Sequence, residues 1–401
     1  MTARRLLPAA LLALTAALPA PVAHAVTEGQ LRAVIGGQMA GAGGASGAYV
    51  MDLDRDRRLY ALRPDSPYVP ASVNKLFVTS TALRLHGADA RLQTSALTRG
   101  TIDADGVLTG NLYLRGGGDP TLGGTDLDAL AAKLELEVTR VKGAVFADES
   151  RFDLLRGSSS TGGRLDPWVG GQLGALVVER GYDGRTPHGR PAAVAADAFR
   201  AALERRGIEV SLDQIRLGEA HEDAETLATV SSPTVGELIA ATNVPSDNYL
   251  AEMLLKDLGA SFGDGGTTGA GARVVRDELA ELDVRPQVVD GSGLSRSNRT
   301  NARQVVLLLD AMSEGRDGPV FTRSLAVAGR TGTLEDRMRK GSATGRCRAK
   351  TGTLSDVSAL AGICQTAGGR RVGFAFLMNG VYPTSARTLQ DRMVNAIARL
   401  R

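Results

Sequence analysis

The chain has 401 residues, enough for two or three domains and a sizeable core. Hydrophobic residues make up 43% and charged residues 23%, which excludes a disordered or fibrous chain. The net charge of +3 is too small to point to nucleic acid or an anionic membrane as partner. Only six of the 47 basic residues are lysines: Lys75, Lys133, Lys142, Lys256, Lys340 and Lys350.

Residues 1–25 read as a signal peptide. Arg4 and Arg5 form a basic start, Leu6 to Leu18 is apolar but short for a bilayer, and Ala23-His24-Ala25 is a small-x-small cleavage site. The other reading is an uncleaved anchor. No later segment has the ~18 apolar residues of a span, so the mature chain is expected to be exported and soluble from about Val26.

Residues 47–54 predict a strand, and 59–62 a second one after the turn at Asp54–Arg57. Pro70 opens a helical pattern from Ser72 to Leu85, stopped by His86-Gly87. From about 90 to 230 short strands at 106–108, 111–114 and 144–148 alternate with glycine-rich turns. Helices are expected near 124–136 and from Ala192 to Gly207, and loops at 156–164 and 181–191. This stretch reads as an α+β insertion over 96–231, dividing a catalytic domain of 26–95 and 232–401. Helices follow at Thr234–Thr242, Ser246–Leu258, Ala270–Leu282 and Asn301–Met312. The end reads as strands at 344–351, 357–364 and 371–379 and a helix at 384–400. If the first two of these strands form a hairpin turning near Leu354–Asp356, Cys347 and Cys364 lie opposite each other, as a disulfide or as two buried thiols.

Three short motifs carry the chemistry, in the order Ser72-Val73-Asn74-Lys75, Ser246-Asp247-Asn248 and Lys350-Thr351-Gly352. Ser72 and Lys75, three apart at a helix start, share a face, and the helix N-terminus favours a developing oxyanion. A serine needs a base to attack a carbonyl, and a lysine serves only when neutral; burial and a neighbouring cation, Lys350, would lower its pKa. Arginine stays protonated, and a chain with 41 arginines places two of its six lysines at motif positions. Ser246 would relay a proton to the leaving amine, and Asn248 would hold Lys75 and the substrate amide. Lys350, Thr351 and Thr353 would bind a carboxylate on an edge strand. Gly352 would let substrate backbone approach, and the Thr353 N–H would complete an oxyanion hole with that of Ser72.

Each motif alone is commonplace: a cap with a solvated lysine, a turn, a strand end. Other features carry less. Arg330-Thr331-Gly332-Thr333 mimics the third motif and reads as a structural turn, and Asp290-Gly291-Ser292-Gly293 lacks nucleophile-elbow spacing. His86, His188 and His221 have no obvious serine and acid partners for a triad. Gly116–Gly118 lacks the Gly-Lys-Ser/Thr of a phosphate loop, and no His/Cys/Asp cluster has metal-ligand spacing.

The ordered set resembles the penicillin-binding and serine β-lactamase superfamily. The 173 residues between Ser72 and Ser246 (73–245), the run Leu114-Arg115-Gly116-Gly117-Gly118-Asp119-Pro120-Thr121-Leu122 and Asp290-Gly291-Ser292-Gly293-Leu294-Ser295-Arg296 narrow it. They are similar to class C low-molecular-mass penicillin-binding proteins, the D-alanyl-D-alanine carboxypeptidase/endopeptidase family S13. The resemblance implies an α/β (α+β) transpeptidase-like fold: an antiparallel sheet flanked by helices, with the insertion between the first and second motifs. It implies Ser72 as acylated nucleophile, Lys75 as proton acceptor, Ser246, Asn248 and Lys350 as catalytic partners, and Thr351, Gly352 and Thr353 against substrate. It further implies peptidoglycan peptides ending in D-Ala-D-Ala as substrates, β-lactams as inhibitors, and neither metal nor cofactor. The insertion is short for that family. A β-lactamase, with Glu278 or Glu281 as deacylating base, and a non-catalytic peptidoglycan-binding protein are the alternatives. The period of Leu279 and Leu282 instead fits an ordinary amphipathic helix.

Overall fold

The computed structural model describes residues 25–43 and 45–401; segment 1–24, on which the export reading rests, lies outside them. Helix α1 (Glu28–Gly41) starts at a capping box in which Thr27 and Gln30 satisfy each other's backbone N–H groups. It is followed by β1 (Ser46–Asp52), β2 (Arg57–Leu62), a 3₁₀ turn at Ala71–Asn74 and α2 (Lys75–His86). The middle of the chain forms β3 (Arg91–Thr98), β4 (Thr101–Ile102), β5 (Val107–Thr109), β6 (Leu112–Arg115), α3 (Gly124–Leu134), β7 (Arg140–Asp148), β8 (Tyr182–Asp183), β9 (Thr186–Pro187), α4 (Pro191–Arg205), β10 (Glu209–Leu217) and β11 (Glu225–Thr234). The rest forms α5 (Val235–Asn243), α6 (Asn248–Phe262), α7 (Thr268–Ala280), α8 (Ala302–Glu314), α9 (Gly318–Arg323), β12 (Ala326–Val327), β13 (Cys347–Leu354), β14 (Val357–Gln365), β15 (Arg371–Asn379) and α10 (Pro383–Ala398).

Two sheets organise these elements. The first is antiparallel, in the order β12-β13-β14-β15-β1-β2. Its central strands read as continuous apolar runs because both faces are covered. Alternate residues go to opposite sides: Ala359, Ala361, Ala375 and Leu377 pack on the cluster of α2, α5 and α8, while Leu360, Phe374, Phe376 and Met378 pack on α1 and α10. The second sheet runs β11-β3-β6-β7-β5-β4, with β10 also on β7, and packs against α3 and α4. The fold is thus an antiparallel sheet flanked by helices, joined to a second α+β lobe. The strands entering and leaving that lobe, β3 and β11, are antiparallel neighbours with Arg91 opposite Thr234. They straddle the expected seam at 95/96 and 231/232, since pairing with β6 and with each other puts both whole strands in the second sheet.

The expected hairpin is β13–β14, with β13 running on to Leu354 instead of stopping at 351. Cys347 stands opposite Cys364 and the two form a disulfide. It closes a loop of 17 residues in sequence. By chain entropy a loop of that size is worth about 3 kcal/mol. A Cys347→Ala/Cys364→Ala double variant is expected to lose about that much stability in denaturant titration. Among the described residues, no helix is long and apolar enough to cross a membrane.

Candidate active site

Ser72, Val73 and Asn74 of the first motif lie on the 3₁₀ turn, and Lys75 opens α2. In 3₁₀ geometry residues i and i+3 eclipse, so Ser72 stands directly over Lys75. Lys75 Nζ lies 2.9 Å from Ser72 Oγ, and donates to Asn248 Oδ1 at 2.6 Å and to the Ser292 carbonyl at 2.6 Å. Lys75 is fully buried. That burial brings its pKa down to about 8, against the pull of Asp290, Glu252 and Asp247, which favour the ammonium. Lys350 is equally buried; burial first, and Lys75 second, hold it well below the usual lysine range. Burial, not the expected cation Lys350, is what depresses Lys75.

The second motif occupies the break between α5 and α6. Asp247 caps α6 by accepting the Leu250 N–H at 2.9 Å. Ser246 is held at φ +67°, a left-handed conformation that costs a non-glycine residue of order 1 kcal/mol and turns its side chain into the cleft. Residues of the second lobe fix this loop from outside. Arg180 pairs with Asp247 at 2.7 Å and stacks over Tyr249, and the Asn248 amide donates to the Trp168 carbonyl at 2.7 Å.

The third motif lies on β13. The two-residue β12 pairs only with Arg348 and Ala349, so from Lys350 onward the strand has an open edge. Thr351 and Thr353 line the cleft. Gly352 corrects an expectation: a Cβ there would meet the Pro70 carbonyl at 2.6 Å and the Val73 nitrogen at 3.1 Å. The missing side chain makes room for the nucleophile turn, not for substrate. Gly352→Ala is accordingly expected to push that turn outward and slow acylation on the order of 10²-fold, measurable with a labelled penicillin.

Two recesses meet at Ser72, of about 460 and 650 Å³, and both also touch Asn248 and Thr353. The smaller adds Ser246, Thr333, Thr351, Arg337 and Arg387. The larger adds Trp168, Leu294 and Arg296. The structure thus brings together Ser72, Lys75, Ser246, Asn248, Thr351 and Thr353 around one cleft, with Lys350 buried on the same strand.

Several participants were not foreseen. The 330–333 turn is structural but also lines the cleft, since Thr333 Oγ1 bonds Thr351 Oγ1 at 2.8 Å. Arg387 reaches in from α10 and donates to Thr353 Oγ1 at 3.2 Å. The 290–298 loop clamps Lys75 from below. Its buried Asp290 accepts from the Gly293 and Ser295 N–H groups and from Asn298 Nδ2, at 2.8, 2.6 and 2.7 Å, and its backbone carbonyl accepts from Asn74. Gly293 has φ +85°, and a Cβ on it would strike the Ala71 carbonyl, so the loop and the nucleophile turn pack backbone to backbone. His86 does have an acid partner, Asp257 at 2.8 Å, brought close by folding across 171 positions. The pair packs between α2 and α6 with Arg151 on the same carboxylate, and lines neither recess. Glu278 pairs with Arg84 at 2.6 Å on the outer face of α7 while Leu279 points inward, so it is not placed to deacylate.

The sequence matches the D-Ala-D-Ala carboxypeptidase 3 (S13) family over residues 33–161 and 186–400. The chain belongs to that family. Among its relatives, the D-alanyl-D-alanine carboxypeptidase of Actinomadura sp. (strain R39) is 30% identical, over 89% of this chain and 81% of its own. Carboxypeptidase DacB of Mycolicibacterium smegmatis is 30% identical over 86% and 78%. Penicillin-binding protein 4 of Haemophilus influenzae has a similar fold, superimposing with a TM-score of 0.74 at 19% identity and covering 90% of this chain and 97% of that one. The S13 match skips 162–185, the segment carrying Trp168 and Arg180.

Proposed function

We propose that this S13 member is an exported serine D-alanyl-D-alanine carboxypeptidase that acts on peptidoglycan stem peptides and also on the cross-bridges derived from them. The observation that carries the reading is Ser72 Oγ 2.9 Å from a fully buried lysine whose pKa lies near 8. Such an amine is partly neutral at working pH, as a general base requires. Ser72 attacks the carbonyl between the two D-alanines and its proton passes to Lys75. Backbone N–H groups of Ser72 and Thr353 receive the oxyanion. Ser246 passes the proton on to the departing amine, leaving the acyl group on Ser72, and water then clears the ester. Asn248 holds Lys75 and the scissile amide. Thr351 and Thr353 face the leaving D-alanine, Lys350 supports that strand from within by donating to the Thr351 carbonyl, and Gly352 seats the nucleophile turn beneath it. A β-lactam ring offers the same carbonyl and traps the same serine. Export rests on segment 1–25, with cleavage near Ala25.

The test is free D-Ala release from a peptide ending in D-Ala-D-Ala, alongside labelled-penicillin binding to the purified protein and to Ser72→Ala. Release with an adduct absent from Ser72→Ala supports the reading; neither release nor adduct overturns it. Assaying a cross-linked muropeptide beside the pentapeptide measures the endopeptidase share. Arg387 adds a further expectation. Its guanidinium, at Thr353 in the smaller recess, suits the free carboxylate of the leaving residue. Arg387→Ala should raise KM roughly tenfold for the acid while changing little for the C-terminal amide analogue, read from paired steady-state assays.

A further inference from the structure

Glu252 lies one helical turn beyond Asn248 on α6 and is completely buried, yet the mechanism above gives it no part. Its Oε1 accepts the Ser292 N–H at 2.9 Å, and the Ser292 carbonyl accepts Lys75 Nζ at 2.6 Å. One residue's backbone thus links the carboxyl to the lysine. Its other oxygen, Oε2, is buried with no hydrogen-bond partner. A bare carboxylate oxygen in that state is costly, whereas a protonated one is not. Asp290, the other acid facing this space, has three donors spread over both its oxygens. The proton that the two buried acids can best accommodate therefore belongs on Glu252. Burial first, and Asp290 second, raise the Glu252 pKa, against the Ser292 hydroxyl and the Ser292 and Gly291 N–H groups, which lower it.

The other charges around Glu252 are few. Lys75 faces it from α2 and Asp290 from the loop. On its own helix, Asp247 lies at the start, held by Arg180, and Lys256 one turn on, tied to Asp153 at 2.5 Å. Lys350 is felt here only through Lys75, and the Lys350 Nζ donates to the Thr351 carbonyl.

We propose that Glu252 is a positioning residue for the proton acceptor Lys75: it fixes the Ser292 peptide that receives the lysine, and its charge sets the pH at which Lys75 becomes a base. This rests on the acyl-enzyme reading above. Neutral Glu252 leaves Lys75 free to lose its proton; ionised Glu252 adds a second negative charge below the lysine and holds the ammonium. The cation attracted by that charge disappears when Lys75 deprotonates, so removing the charge lowers the lysine's pKa.

The test is the pH dependence of acylation by labelled penicillin in wild type, Glu252→Gln and Glu252→Ala. Gln keeps an acceptor for the Ser292 N–H but never ionises, so the acid limb of its profile should move to lower pH by about one unit. Ala loses the acceptor and should acylate about tenfold more slowly at every pH, with Gln restoring most of the rate. Superimposable profiles for wild type and Glu252→Gln would overturn the proposal, because a merely structural glutamate would not move the limb. Infrared titration of the wild-type protein gives a reading independent of whether the variants fold. A protonated-carboxyl band that is present at acid pH and lost near pH 7, below the acylation limb, supports the proposal; a band that persists above the limb, or none at any pH, overturns it. Failure of the wild type to be acylated at all would instead sink the acyl-enzyme reading.

Discussion

Lys75→Met is expected to lower penicillin acylation and D-Ala release by about 10³-fold or more, some 4 kcal/mol of barrier. Methionine retains the length and volume of the lysine stem, so the packing around α2 persists. Asp290 keeps its three donors, which limits the cost of losing the cation above it. What goes is the only amine in contact with Ser72 Oγ among the described residues. The pH profile separates this from a folding defect. In wild type the neutral fraction of Lys75 grows with rising pH through about 8, so acylation should climb through that region and then level off. The residual rate of the methionine variant should lack that rise. A variant that folds, by near-ultraviolet circular dichroism, and still acylates within tenfold of wild type would remove Lys75 from the mechanism.

Asp290→Ala is expected to cost about 3–5 kcal/mol of stability, and with it most of the activity. The carboxylate touches no substrate, but it gathers the Gly293 and Ser295 N–H groups and the Asn298 amide into one buried node. Alanine leaves the Gly293 and Ser295 N–H groups buried and unpaired and Asn298 Nδ2 with only the Ser295 carbonyl, and Lys75 loses its strongest favourable charge. The loop that presents the Ser292 carbonyl would loosen together with the seat of the nucleophile turn against Gly293. A fall in thermal midpoint of several degrees, accompanied by weaker acylation, is the expected signature. Asp290→Asn should recover part of it, since one amide oxygen can still accept.

The chemistry was legible because serine–lysine catalysis leaves local marks: three residues of spacing on one turn, a helix cap, a strand end. The continuous apolar runs of β14 and β15 and the glycine stop after Ala192–Gly207 were equally plain. What escaped depends on distance along the chain. Glu252 reads as an ordinary helical glutamate until folding brings it against Ser292, 40 positions on. The role of Gly352 is hidden in the sequence because its neighbour, the Pro70 turn, is remote along the chain. Helix α1 went unassigned, its stripe of Leu31, Ile35 and Met39 being thinned by glycines. Strand β7 begins at Arg140, not at 144, because polar Arg140 and Lys142 alternate with buried Val141 at its exposed end.

The neck between the lobes has a consequence for how the chain tolerates change. Val235 N–H bonds the Ala90 carbonyl and Gly236 N–H that of Ala88, just where β11 and β3 end side by side. The two ends of the second lobe are thus pinned one strand spacing apart, a gap of about 5 Å. Anything from a tight hairpin to a whole domain closes such a gap, and each doubling of its length adds only about 0.6 kcal/mol of closure entropy. The lobe's size can therefore drift at the neck without disturbing the register of the sheet that carries Lys350, as long as residues 151–180 keep their seat on α6.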